Sequence, residues 1–171
     1  MTEKATNMSG SGLLQYIALD RMDAVFATKE VRSRTATADV LTLLLLKRVA
    51  RYLVGHREVA INYPYLDNPS QIDCYTDAGL AADVATRVST TAGALMHGAH
   101  WLEGWSVTQK VRDLSSGESE FHAQGSGAAR GLLMNHICHE AGEPTKTLVL
   151  HRDSVASHGT AKVGGWDMGP H

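Results

Sequence analysis

The chain has 171 residues, enough for one domain with a hydrophobic core and a short extension, but too few for two ordinary domains. Apolar residues make up 43%, charged residues 20%, and only four residues are proline, which excludes a disordered or collagen-like chain. The formal net charge of -2 excludes a protein held to nucleic acid by overall positive charge, so any such contact must be local.

Cysteine usage and hydropathy indicate the compartment. Cys74 and Cys138 lie far apart in sequence and no secretory signal pattern opens the chain, so we expect free thiols in a reducing environment. The longest apolar run, Leu43–Leu46, is far shorter than the ~20 residues that a membrane span requires. We therefore expect no membrane partner.

Two helices are predicted in the first third of the chain, after a flexible leader. Residues 1–12 end in alternating serine and glycine and lack hydrophobic periodicity, so they are predicted to lie outside the fold. From Leu13 to about Lys29, apolar residues recur at three- and four-residue steps, which predicts an amphipathic helix. A second helix is predicted from Asp39, whose side chain can cap it, to Gly55, which can end it.

The pattern then changes to a period of two residues, which is typical of strands. Val59–Tyr63 alternates apolar and polar residues and is the first candidate strand. Ile72–Thr76 is the second, and it leads directly into Asp77. Ser89–Met96 and Trp101–Trp105 form a further pair around a connection of hairpin length, so the sequential strands predict an antiparallel meander.

A long helix and a last strand complete the predicted fold. Ser115 or Ser116 can cap a helix that reaches about Ala141, and its interior glycines need a packing reason such as close approach to a sheet. Thr147–Leu150 is a short apolar strand that ends near Asp153. The order of strands, helix and strand predicts an α/β or α+β domain with a mixed sheet.

Four carboxylates at the ends of strands and on the long helix are the candidate catalytic residues. They are Asp77, Glu120, Asp153 and Asp167. Position alone favours a solvated or capping role for any one of them. The short sequence motifs around these residues, however, favour a functional role.

Eight short segments in chain order carry a family pattern. They are LQYIALDRMD at 14–23, LKRVARYLVG at 46–55, YTDA at 75–78, RVSTTAG at 87–93, WSVTQK at 105–110, LSSGESEFHA at 114–123, RDSVA at 152–156 and KVGGWD at 162–167. Together they resemble the end of the reverse transcriptase and the ribonuclease H domain of the polyprotein of copia-type LTR retrotransposons. The resemblance spans nearly the whole chain.

The resemblance implies a ribonuclease H-like α/β fold, in which a mixed sheet (an antiparallel meander, then parallel strands) is flanked by helices after a helical N-terminal extension. Residues 13–70 would be the reverse transcriptase remnant and connection, and residues 71–171 the ribonuclease H-like domain. That domain is expected to be incomplete, since the family continues beyond the position of His171. The implied activity is endoribonuclease cleavage of the RNA strand of RNA/DNA hybrids during reverse transcription.

Two Mg²⁺ or Mn²⁺ ions are the implied cofactors, because a pair of metal ions activates water and stabilises the leaving oxygen in an in-line displacement. Hard oxygen ligands suit these ions. By the family's pattern Asp77 would bridge both ions, Glu120 and Asp153 would hold the leaving-group side, and Asp167 the side that activates water. Glu118 is the weaker match to the family's glutamate.

The other implied partners are the hybrid itself and the reverse transcriptase domain of the same polyprotein, in a cytoplasmic retroelement particle with a nuclear location as the alternative. Basic residues that could contact the hybrid backbone, or could be ordinary solvated charges, are Lys110, Arg112, Arg152 and Lys162.

The runner-up function is a catalytically decayed copy that acts at most as a hybrid-binding or structural domain. It is motivated by Gly79 and Leu80, which stand where the family has Asp-Trp.

Overall fold

The computed structural model describes residues 3–36, 39–83 and 86–151, which belong to two compact units. The first unit ends at Asn62 and contains α1 (Glu3–Ile17), a 3-10 turn (Met22–Ala24), α2 (Val25–Ser33) and α3 (Val40–Gly55). The second begins at Tyr63 and contains β1 (Gln71–Gly79), β2 (Thr90–His97), β3 (His100–Thr108), α4 (Ser116–Glu140) and β4 (Thr147–His151). No helix among these residues is both long and apolar enough to cross a membrane.

The start of the chain differs from the expected flexible leader, because α1 already begins at Glu3. Asn7 and Ser11 are 1% and 6% exposed, so the buried face of this helix carries polar side chains that hydrophobic periodicity does not register. A Cβ at Gly10 would lie 2.7 Å from Cδ2 of Leu46 on α3. The glycine therefore allows close packing of α1 against α3.

The helix predicted from Leu13 to Lys29 is wrong as a single helix, since α1 ends at Ile17 and α2 begins at Val25. Arg21 donates from Nε and Nη2 to both carboxylate oxygens of Asp23, at 2.9 and 2.7 Å. The Tyr52 hydroxyl donates to the same carboxylate at 2.7 Å. These contacts hold a turn against α3 where sequence periodicity alone indicated a continuous helix.

The second predicted helix is confirmed as α3. Asp39 is its N-cap, and Oδ1 accepts a hydrogen bond from the Thr42 amide at 2.8 Å. Leu14, Val31 and Val49 form the buried core of the three helices.

The strand predicted at Val59–Tyr63 is wrong, since residues 56–69 form neither helix nor strand. Val59 and Tyr63 are 48% and 52% exposed. An alternating pattern becomes a strand only where a neighbouring strand supplies hydrogen bonds and a core covers one face. After this segment, Pro64 and Pro69 carbonyls accept hydrogen bonds from the imidazole rings of His100 and His97, at 2.6 and 2.8 Å.

The remaining strands form one four-stranded sheet in the order β3-β2-β1-β4. The pairs β1–β2 and β2–β3 are antiparallel, and β4 is parallel to β1. This confirms the antiparallel meander and the mixed α/β sheet. Ile72, Cys74, Leu95 and Trp105 form its buried core.

The long helix is also confirmed, and its glycines face the sheet. The Ser115 hydroxyl caps α4 by accepting a hydrogen bond from the Glu118 amide at 3.2 Å. A Cβ at Gly127 would lie 2.4 Å from Cγ2 of Thr76, and one at Gly131 would lie 2.4 Å from Cδ1 of Leu148. These glycines therefore let α4 pack closely on β1 and β4, as the sequence predicted.

Candidate active site at the end of the central strand

Asp77 lies near the end of β1, one of the two central strands of the sheet. Ile72, Cys74 and Thr76 are buried, and Asp77 lies on the alternate, exposed side of the strand. Its strand partner is Ala92 of β2. The strand continues two residues beyond the predicted end, to Gly79, so Asp77 lies near the end of β1 and not at it, and the residue is exposed.

Glu120 is a buried carboxylate in the second turn of α4, with only 7% of its surface exposed. Its Oε1 accepts a hydrogen bond from the backbone amide of Ala78 at 3.3 Å. The residue next to Asp77 is thus bonded directly to Glu120. The structure brings two of the four predicted carboxylate positions to the same end of β1.

Gln109 fixes the start of α4 relative to the sheet, and sequence reasoning did not single it out. Its side-chain amide donates to the Thr91 hydroxyl at 3.0 Å and to the Ser119 carbonyl at 2.9 Å. One side chain therefore joins β2 to the residue before Glu120. The only sequence signal was its place in the WSVTQK segment.

The parallel strand β4 leads toward the same end of the sheet. Its last residue, His151, pairs with Tyr75 of β1. Asp77 and Asp153 each follow that pair by two positions in sequence. Asp153 itself lies outside the described residues, as do Arg152, Lys162 and Asp167.

Polar side chains occupy the exposed side of β1 before Asp77. Nε2 of His151 lies 2.7 Å from Oδ1 of Asp73, and since a carboxylate only accepts, the ring nitrogen is the donor. The His151 ring also stacks on Tyr75, with centroids 4.4 Å apart. This pairing orders the last residue of β4 against β1.

Lys110 and Arg112 are exposed in the connection between β3 and α4. They lie in the segment that leads to the N-terminus of the helix that carries Glu120. Their contact with a nucleic-acid backbone remains a prediction.

A second cluster was not predicted from the sequence. Among the described residues, Asp113, Glu118 and His122 place their potential ligand atoms within 4.8 Å of one another. Glu118 and His122 are one helical turn apart, a spacing from which the sequence alone predicts a shared helix face. Asp113, in contrast, lies in the preceding loop. Sequence spacing alone could not bring it to them.

Comparison with known proteins supports a retroelement relationship. Over 118 residues, 69% of this chain, the sequence is 30% identical to an uncharacterized mitochondrial protein of Arabidopsis thaliana, of which it covers 49%. Over 147 residues, 85% of this chain, it is 28% identical to the retrovirus-related Pol polyprotein from transposon RE1 of the same plant, of which it covers 10%. No protein-family model and no solved structure matches. The predicted resemblance to a retrotransposon polyprotein is confirmed at this level.

Proposed function

We propose that this chain, similar as it is to part of a retrotransposon Pol polyprotein, combines the end of a copia-type reverse transcriptase with a ribonuclease H domain. Its reaction would be hydrolysis of the RNA strand of RNA/DNA hybrids. The first unit would be the reverse transcriptase remnant, and the second unit the nuclease, acting in a cytoplasmic retroelement particle.

The hydrogen bond between the Ala78 amide and Glu120 is the observation that supports this proposal most directly. It joins the end of the central strand, where Asp77 is exposed, to a buried carboxylate on the crossing helix. A buried carboxylate is costly unless hydrogen bonds or a cation compensate its charge. Glu120 and Asp77, the two carboxylates selected by the family pattern within the described residues, thus belong to the same end of β1, and this placement supports a metal-binding role.

The donor set fits Mg²⁺ or Mn²⁺, since both ions prefer carboxylate oxygens. Asp77 and Glu120 would hold two such ions together with Asp153 and Asp167. Bound there, the ions would supply an activated water and stabilise the leaving oxygen. The contribution of the chain is to fix the carboxylates: the Ala78 amide orients Glu120, and Gln109 holds the start of α4 on the sheet.

Backbone phosphates of the hybrid would contact the basic residues near this strand end. Lys110 and Arg112 are exposed on the loop before α4, and Arg152 directly follows β4 in sequence. With Lys162 they would supply local positive charge in a chain whose net charge is -2. Such contacts position a duplex without reading its sequence.

The test is cleavage of an end-labelled RNA/DNA hybrid by the full chain in Mg²⁺ and in Mn²⁺. Asp77→Asn and Glu120→Gln should abolish hybrid cleavage while the folded sheet persists, because each variant removes a charged oxygen ligand. Asp67→Asn is the matched control, since Asp67 is exposed and precedes the start of β1, whereas Asp77 lies near the other end of that strand. It should cleave like the parent chain.

Two outcomes separate the alternatives. Cleavage of single-stranded RNA at the same rate as the hybrid would contradict the substrate class. A folded chain that binds the hybrid but cleaves it with neither metal would establish the decayed, hybrid-binding copy instead.

A further inference from the structure

We propose that Asp113, Glu118 and His122 form a second metal site, which binds one divalent transition-metal ion of the Zn²⁺ type and clamps the β3–α4 loop to α4. The site is separate from the carboxylates at the end of β1. Glu118 and His122 are one turn apart on the helix, and Glu120 between them projects to the opposite side, toward the sheet.

The buried carboxylate of Asp113 is the first observation. Its side chain is 0% exposed, and within the described part of the chain neither oxygen accepts a hydrogen bond. Nε2 of His122 lies 3.6 Å from Oδ1, which is too long for a hydrogen bond. A fully buried carboxylate without hydrogen bonds requires a compensating positive charge, and a cation bound between it and His122 would supply one.

The geometry of the three donors is the second observation. Two ligands on one tetrahedral Zn²⁺ ion, each ~2.1 Å from the metal, lie about 3.4 Å apart. The separation of 3.6 Å between Asp113 Oδ1 and His122 Nε2 is close to that value. All three ligand atoms lie within 4.8 Å of one another, so small side-chain adjustments bring them to one ion.

Glu118 is held in place by local backbone contacts. Its Oε2 accepts a hydrogen bond from the Leu114 amide at 2.7 Å, and its own amide donates to the Ser115 hydroxyl at 3.2 Å. These two contacts orient the carboxylate at the start of the helix. The second carboxylate oxygen can then bind a cation without disturbing the cap.

The donor set indicates the class of ion. An imidazole nitrogen favours Zn²⁺ and similar transition metals over Mg²⁺ and Ca²⁺, which prefer oxygen alone. Two carboxylates with a neutral imidazole balance the charge of one divalent ion. Three protein ligands leave the fourth tetrahedral position to water.

The test uses Co²⁺ as a spectroscopic probe on the full chain, after removal of metals with a chelator. A tetrahedral site should take up one equivalent with intense visible absorption, and Zn²⁺ should displace it. Asp113→Asn and His122→Gln should each weaken binding about tenfold or more, since even outer-shell changes at metal sites have effects of this size. Zn²⁺ should also raise the midpoint of thermal unfolding of the parent chain and not of these variants.

Matched controls make the result specific. His139→Gln changes another exposed histidine of α4 and should bind Co²⁺ like the parent chain. Asp77→Asn should also retain the visible spectrum, so loss of hybrid cleavage and loss of this site are distinguishable. The His122 ring is 42% exposed, so His122→Gln should fold even if Asp113→Asn does not.

Absence of the intense visible absorption of tetrahedral Co²⁺ would overturn the site and leave only the 3.6 Å contact between Asp113 and His122. Undiminished binding by folded His122→Gln would overturn it equally.

Discussion

Replacing Gly127 by alanine tests how α4 is held on the sheet. An alanine usually stabilises a helix interior by ~1 kcal/mol relative to glycine. Here its Cβ would lie 2.4 Å from Cγ2 of Thr76 and 2.8 Å from Sγ of Cys74, and these residues are 7% and 0% exposed. Overpacking of this kind costs ~1–3 kcal/mol. We therefore expect Gly127→Ala to lower the free energy of unfolding by about 2 kcal/mol, from a cost of ~3 less a gain of ~1.

Gly125→Ala is the matched control, because nothing lies within 4 Å of a Cβ at that position. It should raise the free energy of unfolding by up to ~1 kcal/mol. Urea denaturation followed by tryptophan fluorescence reports on the second unit, since all three tryptophans follow Tyr63 in sequence. In a Thr76→Ser background, which removes the clashing methyl group, the cost of Gly127→Ala should fall by ~1 kcal/mol.

Equal stability of Gly127→Ala and Gly125→Ala would refute the close approach of α4 to β1. The same experiment has a functional readout, because α4 carries Glu120. A helix displaced from β1 should lose the Ala78–Glu120 hydrogen bond, so hybrid cleavage should fall in Gly127→Ala and not in Gly125→Ala.

Three further predictions concern capping and titration. Hydrogen bonds from Arg21 hold the pKa of Asp23 well below its ordinary value of 3.8, so this carboxylate stabilises the first unit fully above about pH 4, and the contribution is lost as the pH falls toward the folded-state pKa. Asp23→Asn should therefore cost about 1 kcal/mol at neutral pH, measured by urea denaturation and helix circular dichroism, and progressively less in acid; a cost independent of pH would contradict this. Burial raises the pKa of the Cys74 thiol to about 11, so a disulfide reagent at pH 8 should modify Cys138 rapidly and Cys74 only after unfolding, and equal rates in the native chain would refute it. Asp39→Ala should lower the free energy of unfolding through loss of the α3 cap, whereas Asp39→Asn should retain most of the cap, and equal losses would contradict the capping role.

The second unit was predictable because its signals are local. Alternation marked β1, β2 and β3, a serine marked the start of α4, and short connections fixed the meander. The helical glycines predicted a close approach to the sheet before any partner was known, and Gly127 and Gly131 have one.

The first unit was harder because tertiary contacts decide it. The buried face of α1 carries the polar residues Asn7 and Ser11, so hydrophobic periodicity did not predict this helix. Hydrophobic spacing also predicted one continuous helix where the pairing of Arg21 with Asp23 stabilises a turn. The exposed alternation from Val59 onward shows the converse case, a strand pattern without a neighbouring strand.

The candidate site, too, was predictable from the sequence only in part. Asp77 could be placed at a strand end from the sequence, but its link to Glu120 depends on how α4 crosses the sheet. Family resemblance selected those two residues, and periodicity did not. The cluster at Asp113 has no such resemblance to guide it, and it combines a loop residue with two helix residues that only the folded chain brings together.

Because β1 pairs with β4, the sheet can be completed only late in the synthesis of the chain. Asp73 and His151 are joined in the sheet but lie 78 positions apart in sequence. At about 5–20 residues per second, a ribosome needs roughly 4–16 s to make the intervening chain. Once β2 has been made, β1 can pair with it on one side, and until β4 follows, the other edge of β1 is open to strands of neighbouring nascent chains. A pause in translation before Thr147 would prolong this exposure, so we expect pairing with the wrong chain to be favoured on polysomes, where nascent copies are crowded.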